Sequence, residues 1–162
     1  MLKNTIKILT LFLFVVTTFS IANAATQIQM GNGYTIQIPD GFLKDKALSY
    51  EGTDIFSNKE CNITVSSRRM SKYDVKDIKV QASEIEKQYK LSKFKIIKNT
   101  VGEVKNFPMF RIKYSIPNSK GIRYQCGIIA DDIMFMMTFA APSDNDKKYE
   151  AEFDKIINTF SK

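Results

Sequence analysis

Two glycines near the start of the chain have the spacing of a phosphate-binding loop. The stretch GNGYTIQIPDGF, residues 31–42, opens with Gly31-Asn32-Gly33. A phosphate loop needs its glycines between a strand and a helix N-terminus, where free backbone N–H groups meet the anion. Here segments that alternate apolar and polar residues lie on both sides of the glycines. This context predicts a hairpin turn, in which glycine supplies positive φ, and argues against a nucleotide site.

Carboxylate pairs are the second group of residues with chemical potential. Asp131 and Asp132 are adjacent, and Glu51 shortly precedes Asp54. Two carboxyl groups flanking a glycosidic bond are the machinery of a glycosidase. Adjacent residues on a strand point to opposite faces, however, and Asp131-Asp132 stands where a turn is expected. A carboxylate hydrolase is therefore the third hypothesis for function, and no residue is assigned as catalytic.

The composition excludes several classes of enzyme. The sequence contains no histidine and two cysteines. It cannot build a Ser-His-Asp or Cys-His apparatus or a zinc site that uses imidazole, and two cysteines alone cannot form a Cys-only zinc or iron–sulfur site. The enzyme classes that remain are those that work with carboxylates, Lys or Tyr. Because no motif brings such residues together, we expect a protein that is not an enzyme and that uses no metal or other cofactor.

Cys61 and Cys126 each lie in a run that alternates apolar and polar residues. Each shares its strand face with apolar neighbours, so both are expected on the core side of a sheet. In an oxidising compartment such a pair is a candidate disulfide. The alternative is two buried free thiols that act as small hydrophobic groups. The sequence leaves both alternatives open, because pairing depends on geometry.

The chain is basic, with 24 Lys and Arg residues against 17 Asp and Glu residues. Four of the basic residues are Arg, the side chain preferred for phosphate and base contacts, so we expect no nucleic-acid partner. The densest basic cluster is a candidate docking patch for an acidic partner or anionic lipid head groups, with a solvated helix end as the alternative. The cluster comprises Lys87, Lys90, Lys93, Lys95 and Lys98.

Residues 1–24 have the layout of a secretory signal peptide. Two lysines precede an apolar run, which ends in the small-x-small cleavage site Ala-Asn-Ala. The run is short for a membrane span, which needs about 20 apolar residues, and an uncleaved anchor is the alternative. We predict cleavage near Ala24, export to the periplasm or beyond, and a single domain made of residues 25–162.

Hydrophobic periodicity predicts two strand pairs, a helix, a meander of strands and a final helix. Strands are expected at 27–30, 34–38, 47–57, 61–68, 94–104, 109–116, 122–130 and 133–140. A turn is expected at 106–108, between two strands of the meander. The run 133–140 is apolar on both faces, as in a central strand whose two sides are covered.

Two amphipathic helices are expected to flank these strands. The first spans about 75–90, with Ser71 and Asp74 as its capping box. The second starts at Ser143 and has one apolar stripe along its length. That stripe comprises Tyr149, Phe153, Ile156, Ile157 and Phe160. Both helices are therefore expected to pack on the sheet.

The order of elements and two local motifs resemble the PsbP-like superfamily, which includes photosystem II PsbP, the Mog proteins and DcrB-like envelope proteins. The first motif is YTIQIPDGF, residues 34–42, and the second is the closing pattern of residues 153–160, which ends in IINTF. Family members often carry Trp where Phe42 stands. The resemblance implies an α+β domain, an α/β/α sandwich with about six to seven antiparallel strands. It also implies binding and assembly roles with no shared catalytic residues.

The sequence is consistent with three functions. The first is a non-enzymatic exported protein that binds or assembles an envelope component, with membrane contact limited to the signal peptide or the periphery. The second is a secreted inhibitor or effector that docks a basic face on an acidic target. The third is the carboxylate hydrolase. The first is favoured by the signal peptide, the absent histidine and the family resemblance.

Overall fold

A seven-stranded antiparallel sheet with a helix on each face makes up most of residues 25–162, the range that the computed structural model describes. The predicted signal peptide, residues 1–24, lies outside the described residues. The elements in chain order are β1 (Thr26–Gly31), β2 (Tyr34–Ile38), β3 (Leu43–Lys44), β4 (Thr53–Ser57), β5 (Asn62–Arg69), α1 (Ile78–Leu91), β6 (Lys95–Val104), β7 (Phe107–Ser115), β8 (Gly121–Ala130), β9 (Ile133–Pro142) and α2 (Asp146–Asn158).

The strand order of the large sheet is β3-β4-β5-β9-β8-β7-β6, and every neighbouring pair is antiparallel. The strands β1 and β2 form a separate hairpin. This hairpin and α2 pack on one face of the sheet, and α1 packs on the other. The predicted α+β sandwich is confirmed. Within residues 25–162, neither helix is long and apolar enough to cross a membrane.

The strand β9 is the middle strand of the sheet, as its apolar sequence predicts. Phe135, Met137 and Phe139 point to the α2 face and are fully buried. Met134 is buried as well, and Met136 packs against the cluster under α1. A strand covered on both sides in this way needs apolar residues on both of its faces, which explains why β9 is almost entirely apolar.

The α2 face contains an aromatic core. The five residues of the predicted apolar stripe of α2 and the following segment are all buried. The Tyr34 ring of β2 stacks on Phe160 with 5.3 Å between ring centroids, and Phe135 meets both rings from the sheet. Thr35 and Ser161 exchange two backbone hydrogen bonds, of 2.7 and 3.1 Å. The β1–β2 hairpin is thus tied to the chain's C-terminal segment as well as to the core.

The α1 face has a smaller core. Phe110, Ile112 and Tyr114 of β7 are buried there against Ile78 and Ala82 of α1. Space for the Phe110 ring comes from a glycine on the neighbouring strand β8, which directly opposes it. The ring occupies the volume where any other residue would place its Cβ atom.

The helix α1 begins later than predicted. Its N-cap is Asp77, whose Oδ1 accepts the backbone N–H groups of Lys79 at 2.8 Å and Val80 at 3.4 Å. The predicted capping box forms one contact, from the Ser71 N–H to Asp74 Oδ2 at 2.6 Å, but this contact closes a turn before the helix. Ser71 and Asp77 both have side chains that could cap the helix, and the later residue does so.

Other predicted boundaries also shift. The strand expected at 47–57 is confined to β4, because the Asp45 carboxylate accepts the N–H groups of Ala47 and Leu48 and holds a turn there. The turn expected at 106–108 is formed instead by Lys105 and Asn106, both with positive φ. The helix expected from Ser143 begins three residues later, at Asp146. Side-chain hydrogen bonds and left-handed backbone geometry explain the first two shifts.

The glycines of the opening stretch are in a turn, as predicted. Gly31 and Gly33 have φ values of 108° and 79°, and they connect β1 to β2. Since strands precede and follow them, no helix N-terminus is present to bind a phosphate.

Cys61 and Cys126 are both buried on the α2 face, and both are free thiols. Cys126 pairs with Met137 of β9, which pairs with Val65 of β5, and Cys61 lies four residues before Val65. At about 4.8 Å between strands and about 3.4 Å per residue, two strand spacings and four residues place their Cα atoms roughly 17 Å apart. A disulfide needs a Cα separation below about 7 Å, so the candidate disulfide is not formed.

We expect Gly127→Ala to destabilise the protein. A Cβ atom at Gly127 would lie 2.1 Å from Cε1 of Phe110, so the ring must move within a packed core. The free energy of unfolding should fall by about 1–3 kcal/mol, measured by urea denaturation. Gly102→Ala is the matched control, because a Cβ there meets nothing within 4 Å. Equal losses in the two variants would contradict the role of Gly127.

We also expect both thiols to be reactive once the protein is unfolded without reductant. Burial raises the pKa of Cys61 to about 11 and that of Cys126 to about 12, and the thiolate is the reactive form. Native protein should therefore label slowly with maleimide, and unfolded protein should take up one label per thiol in the mass spectrum. Unlabelled protein whose mass rises by two protons on reduction would instead reveal a disulfide.

Candidate interaction surface

The five lysines of the predicted docking patch lie around one edge of the large sheet. Lys87 and Lys90 are on α1, and Lys93 is in the connection that follows. Lys95 and Lys98 are on β6, the terminal strand on this side of the sheet. All five side chains are exposed to solvent. We call these five lysines the basic edge surface.

The basic edge surface extends over both faces of the sheet. Ile96 of β6 pairs with Tyr114, which packs under α1, whereas Lys98 pairs with Lys113, whose amine contacts α2. Lys98 therefore lies on the α2 face of the edge, and Lys87 and Lys90 lie on the α1 side. The sequence predicted the cluster but not that it would enclose a strand edge.

Two of the five lysines have carboxylate partners. Lys90 pairs with Glu86 at 2.6 Å along α1, and Lys98 approaches Glu150 of α2 at 3.5 Å. Within residues 25–162, no carboxylate lies within 4.0 Å of Lys87, Lys93 or Lys95. Their charge is therefore available to a partner.

Apolar side chains are exposed beside these lysines. Leu91 at the end of α1 is 77% exposed, and Ile97 and Val101 on β6 are 46% and 41% exposed. Single exposed apolar residues are common on protein surfaces, but these three share one region with the unpaired lysines. The surface thus offers both charge and apolar area to a partner.

Sequence reasoning missed an ion-pair cluster between β7 and α2. The amine of Lys113 is 2.6 Å from Asp146 and 2.9 Å from Glu150, with its side chain 11% exposed. The Tyr124 hydroxyl donates to the Asp146 carboxylate and lies 3.0 Å from its carbonyl oxygen. In the sequence, Lys113 alternates with apolar residues of β7. Its acidic partners are on α2, so they become evident only when the position of that helix is known. The cluster holds α2 on the sheet.

The pKa shifts in this cluster follow from its hydrogen bonds. Burial alone would raise the pKa of Asp146, but hydrogen bonds from Lys113 and Tyr124 outweigh burial and lower it. The hydrogen bond from Lys113 likewise lowers the pKa of Glu150. Burial would lower the pKa of Lys113, and its two carboxylate partners raise it instead. Lys113 and both carboxylates are held in their charged forms, which suits attachment and gives no group poised to exchange a proton near neutral pH.

The two carboxylates of the first predicted pair, Asp131 and Asp132, bind different lysines. Asp131 and Asp132 form the β8–β9 turn with positive φ. Asp131 pairs with Lys162, and hydrogen bonds from Lys162 and Tyr34 lower its pKa. Asp132 pairs with Lys76 at 2.6 Å. A glycosidase acid needs a raised pKa, so this environment is the wrong one for that role.

The second pair, Glu51 and Asp54, is also divided. Asp54 on β4 is 2.6 Å from Lys44, and Glu51 is exposed in the turn before that strand. Among residues 25–162, no three acidic or cysteine side chains come together in an arrangement that could hold a metal ion.

No family model matches the sequence, and no curated protein matches it. Solved structures, in contrast, match the fold of this chain. The chain is similar to cyanobacterial PsbP (CyanoP) from Synechocystis sp. PCC 6803, with a TM-score of 0.67 and 10% identity over 86% of this chain and 92% of that one.

Two further solved structures are similar to this chain. One is the Ran-binding protein Mog1p of Saccharomyces cerevisiae, with a TM-score of 0.57 and 12% identity over 85% of this chain and 94% of that one. The other is LpqN of Mycobacterium tuberculosis, described as involved in cell envelope biogenesis, with a TM-score of 0.58 and 12% identity over 85% and 89%. At such identities the likeness concerns the fold alone.

We expect Lys113→Met to lower stability near neutral pH. The lowered pKa values of Asp146 and Glu150 mean that their ionised forms contribute stability above their ordinary pKa values of 3.8 and 4.5. That contribution is lost as the pH falls through the lowered values. The loss in unfolding free energy, measured with urea, should therefore be largest near pH 7 and shrink toward about pH 3.

Lys98→Met is the control for this experiment. Its side chain is 60% exposed and lies 3.5 Å from Glu150, so solvent screens the pair and a smaller loss is expected. A loss in Lys113→Met that does not change with pH would show that Lys113 stabilises the protein through packing alone.

Proposed function

We propose that this chain, which has the PsbP-like fold, is a non-enzymatic exported protein that binds an envelope component through its basic edge surface. The component is an acidic protein of the same compartment. Binding serves assembly or support of that partner and involves no chemical conversion.

One observation carries this proposal: among residues 25–162, three of the lysines around the edge of the sheet have no carboxylate within 4.0 Å. Removal of the signal peptide takes away Lys3 and Lys7 but no acidic residue, which leaves a net charge of +5, from 22 basic and 17 acidic residues. A charge excess concentrated at a surface with exposed apolar side chains favours an acidic protein and speeds its encounter.

Other features support the binding role. The carboxylates that a hydrolase would use are divided between separate ion pairs. Mog1p is named as a Ran-binding protein, and LpqN is described as involved in cell envelope biogenesis. Export rests on the pattern of residues 1–24, which has the order of a signal peptide. These observations together favour an envelope binding protein over the inhibitor and hydrolase alternatives.

The test is charge reversal in the variant K87E/K93E/K95E. Crosslinking in living cells, followed by mass spectrometry, should give an acidic envelope partner with the wild type. The variant should reduce capture of that partner about tenfold or more, since each reversed contact at an interface rim removes attraction and adds repulsion. Affinity of the purified pair should fall as salt concentration rises.

The matched control is K46E/K59E/K120E, which makes the same change in net charge at exposed lysines away from the basic edge surface. This control variant should capture the partner as well as the wild type does. Equal capture by both triple variants, or binding that does not respond to salt, would refute the proposed docking surface.

A further inference from the structure

The strand β6 presents an unpaired backbone edge in the middle of the basic edge surface. It is ten residues long and, among residues 25–162, hydrogen-bonds as a strand to β7 alone. The opposite edge of the sheet is β3, which has two residues. A long strand edge is a template for a further strand, since its outward N–H and C=O groups lack backbone partners.

The hairpin geometry identifies the outward groups. Lys105 and Asn106 form a two-residue turn with positive φ at both positions, and Val104 opposes Phe107 across it. In such a hairpin the flanking pair exchanges hydrogen bonds, and successive pairs alternate. Counting back from Val104 in the regular register, the N–H and C=O groups of Asn99, Val101 and Glu103 point away from β7.

Protection of this edge is confined to its first half. Natural edge strands are guarded by lysines and bulges. In β6 the lysines are Lys95 and Lys98, and the register shift lies between Ile96 and Lys98. From residue 99 to the end of the strand the register is regular, and Glu103 is the single charged side chain. This half of the edge is open to pairing.

The side chains beside the edge define what could pair with it. Val101 lies on the α1 face, opposite Phe110, and is partly exposed. Thr100 and Lys98 lie on the α2 face, opposite Arg111 and Lys113. A strand added here would have Val101 and Glu103 beside one of its faces and Lys98 beside the other, while Arg111 and Lys113 lie one strand further in and pair with carboxylates of α2.

We infer that an extended acidic segment of the partner adds to β6 as an eighth strand of the sheet. This inference rests on the proposed function and specifies how the partner binds. Backbone hydrogen bonds to Asn99, Val101 and Glu103 hold the segment, and its acidic residues alternate with small apolar or hydroxyl residues. A second copy of this chain fits less well, because each copy brings a net charge of +5 and its own lysines to the same edge.

The experiment uses a capped synthetic peptide of about eight residues that alternates glutamate with threonine or valine. Protein expressed from the full sequence is mixed with this peptide, and amide hydrogen exchange is followed by NMR. Exchange at the outward amides of Asn99, Val101 and Glu103 should slow on binding. The amides of Thr100 and Gly102, already bonded to β7, should change little.

Two blocked forms test the backbone contacts. A peptide of the same sequence with N-methyl groups on alternate residues keeps its charge but cannot pair. The variant Val101→Pro removes an outward N–H without removing a bond to β7, and proline is tolerated at such edge positions. Each should weaken binding about tenfold or more. Val101→Ala keeps the N–H group and should lose less affinity for the peptide. Tm values establish that each variant is folded.

The outcomes separate this inference from the proposed function. If K87E/K93E/K95E loses the natural partner while Val101→Pro and the N-methylated peptide bind unchanged, strand addition is overturned and the docking surface stands. If neither change affects binding, both proposals fail. Protection of the same three amides that rises with protein concentration, without peptide, would replace the acidic segment with a second copy.

Discussion

The burial of β9 on both faces is the constraint on which the rest of the structure depends. Phe135, Met137 and Phe139 have no exposed surface on one face, and Met134 is buried on the other. Such a strand is stable only between two layers. The β1–β2 hairpin with α2 supplies one layer, and α1 contributes to the other. Tyr34 of the hairpin stacks on Phe160 of the C-terminal segment, and Phe135 of β9 contacts both rings, so this layer packs directly on β9.

The central place of β9 also determines where the sheet ends. Each hairpin of the meander adds one strand outward from β9, through β8 and β7, so β6 becomes the edge. In the part of the chain that the structure describes, the lysines around β6 therefore surround backbone groups that have no strand partner. On the adjoining α2 face the charges are largely paired, as the contacts of Lys113 with Asp146 and Glu150 illustrate. The same sheet thus carries neutralised charge beside α2 and available charge at its edge.

Local pattern predicted the elements well and their ends less well. The apolar stripe of α2 and the two-faced run of β9 are long signals that burial enforces, and both were right. The predicted start of α1 was wrong because Ser71 and Asp77 both satisfy the chemistry of a cap, and periodicity does not choose between them. The predicted position of the β6–β7 turn was wrong by one residue at its start. The sequence Asn-Phe-Pro at 106–108 has turn chemistry, but Lys105 and Asn106 are the residues that adopt left-handed geometry.

The sequence by itself determined the fold class, the buried faces, the absence of histidine chemistry and the lysine cluster, because each follows from residue type and spacing along the chain. The tertiary structure decided which residues meet across it. It separated Cys61 from Cys126, gave Asp131 and Asp132 different partners and brought Lys113 to α2. It also made β6 an edge. Strand order brings distant segments together, and a pattern of period two describes a strand without stating its neighbour.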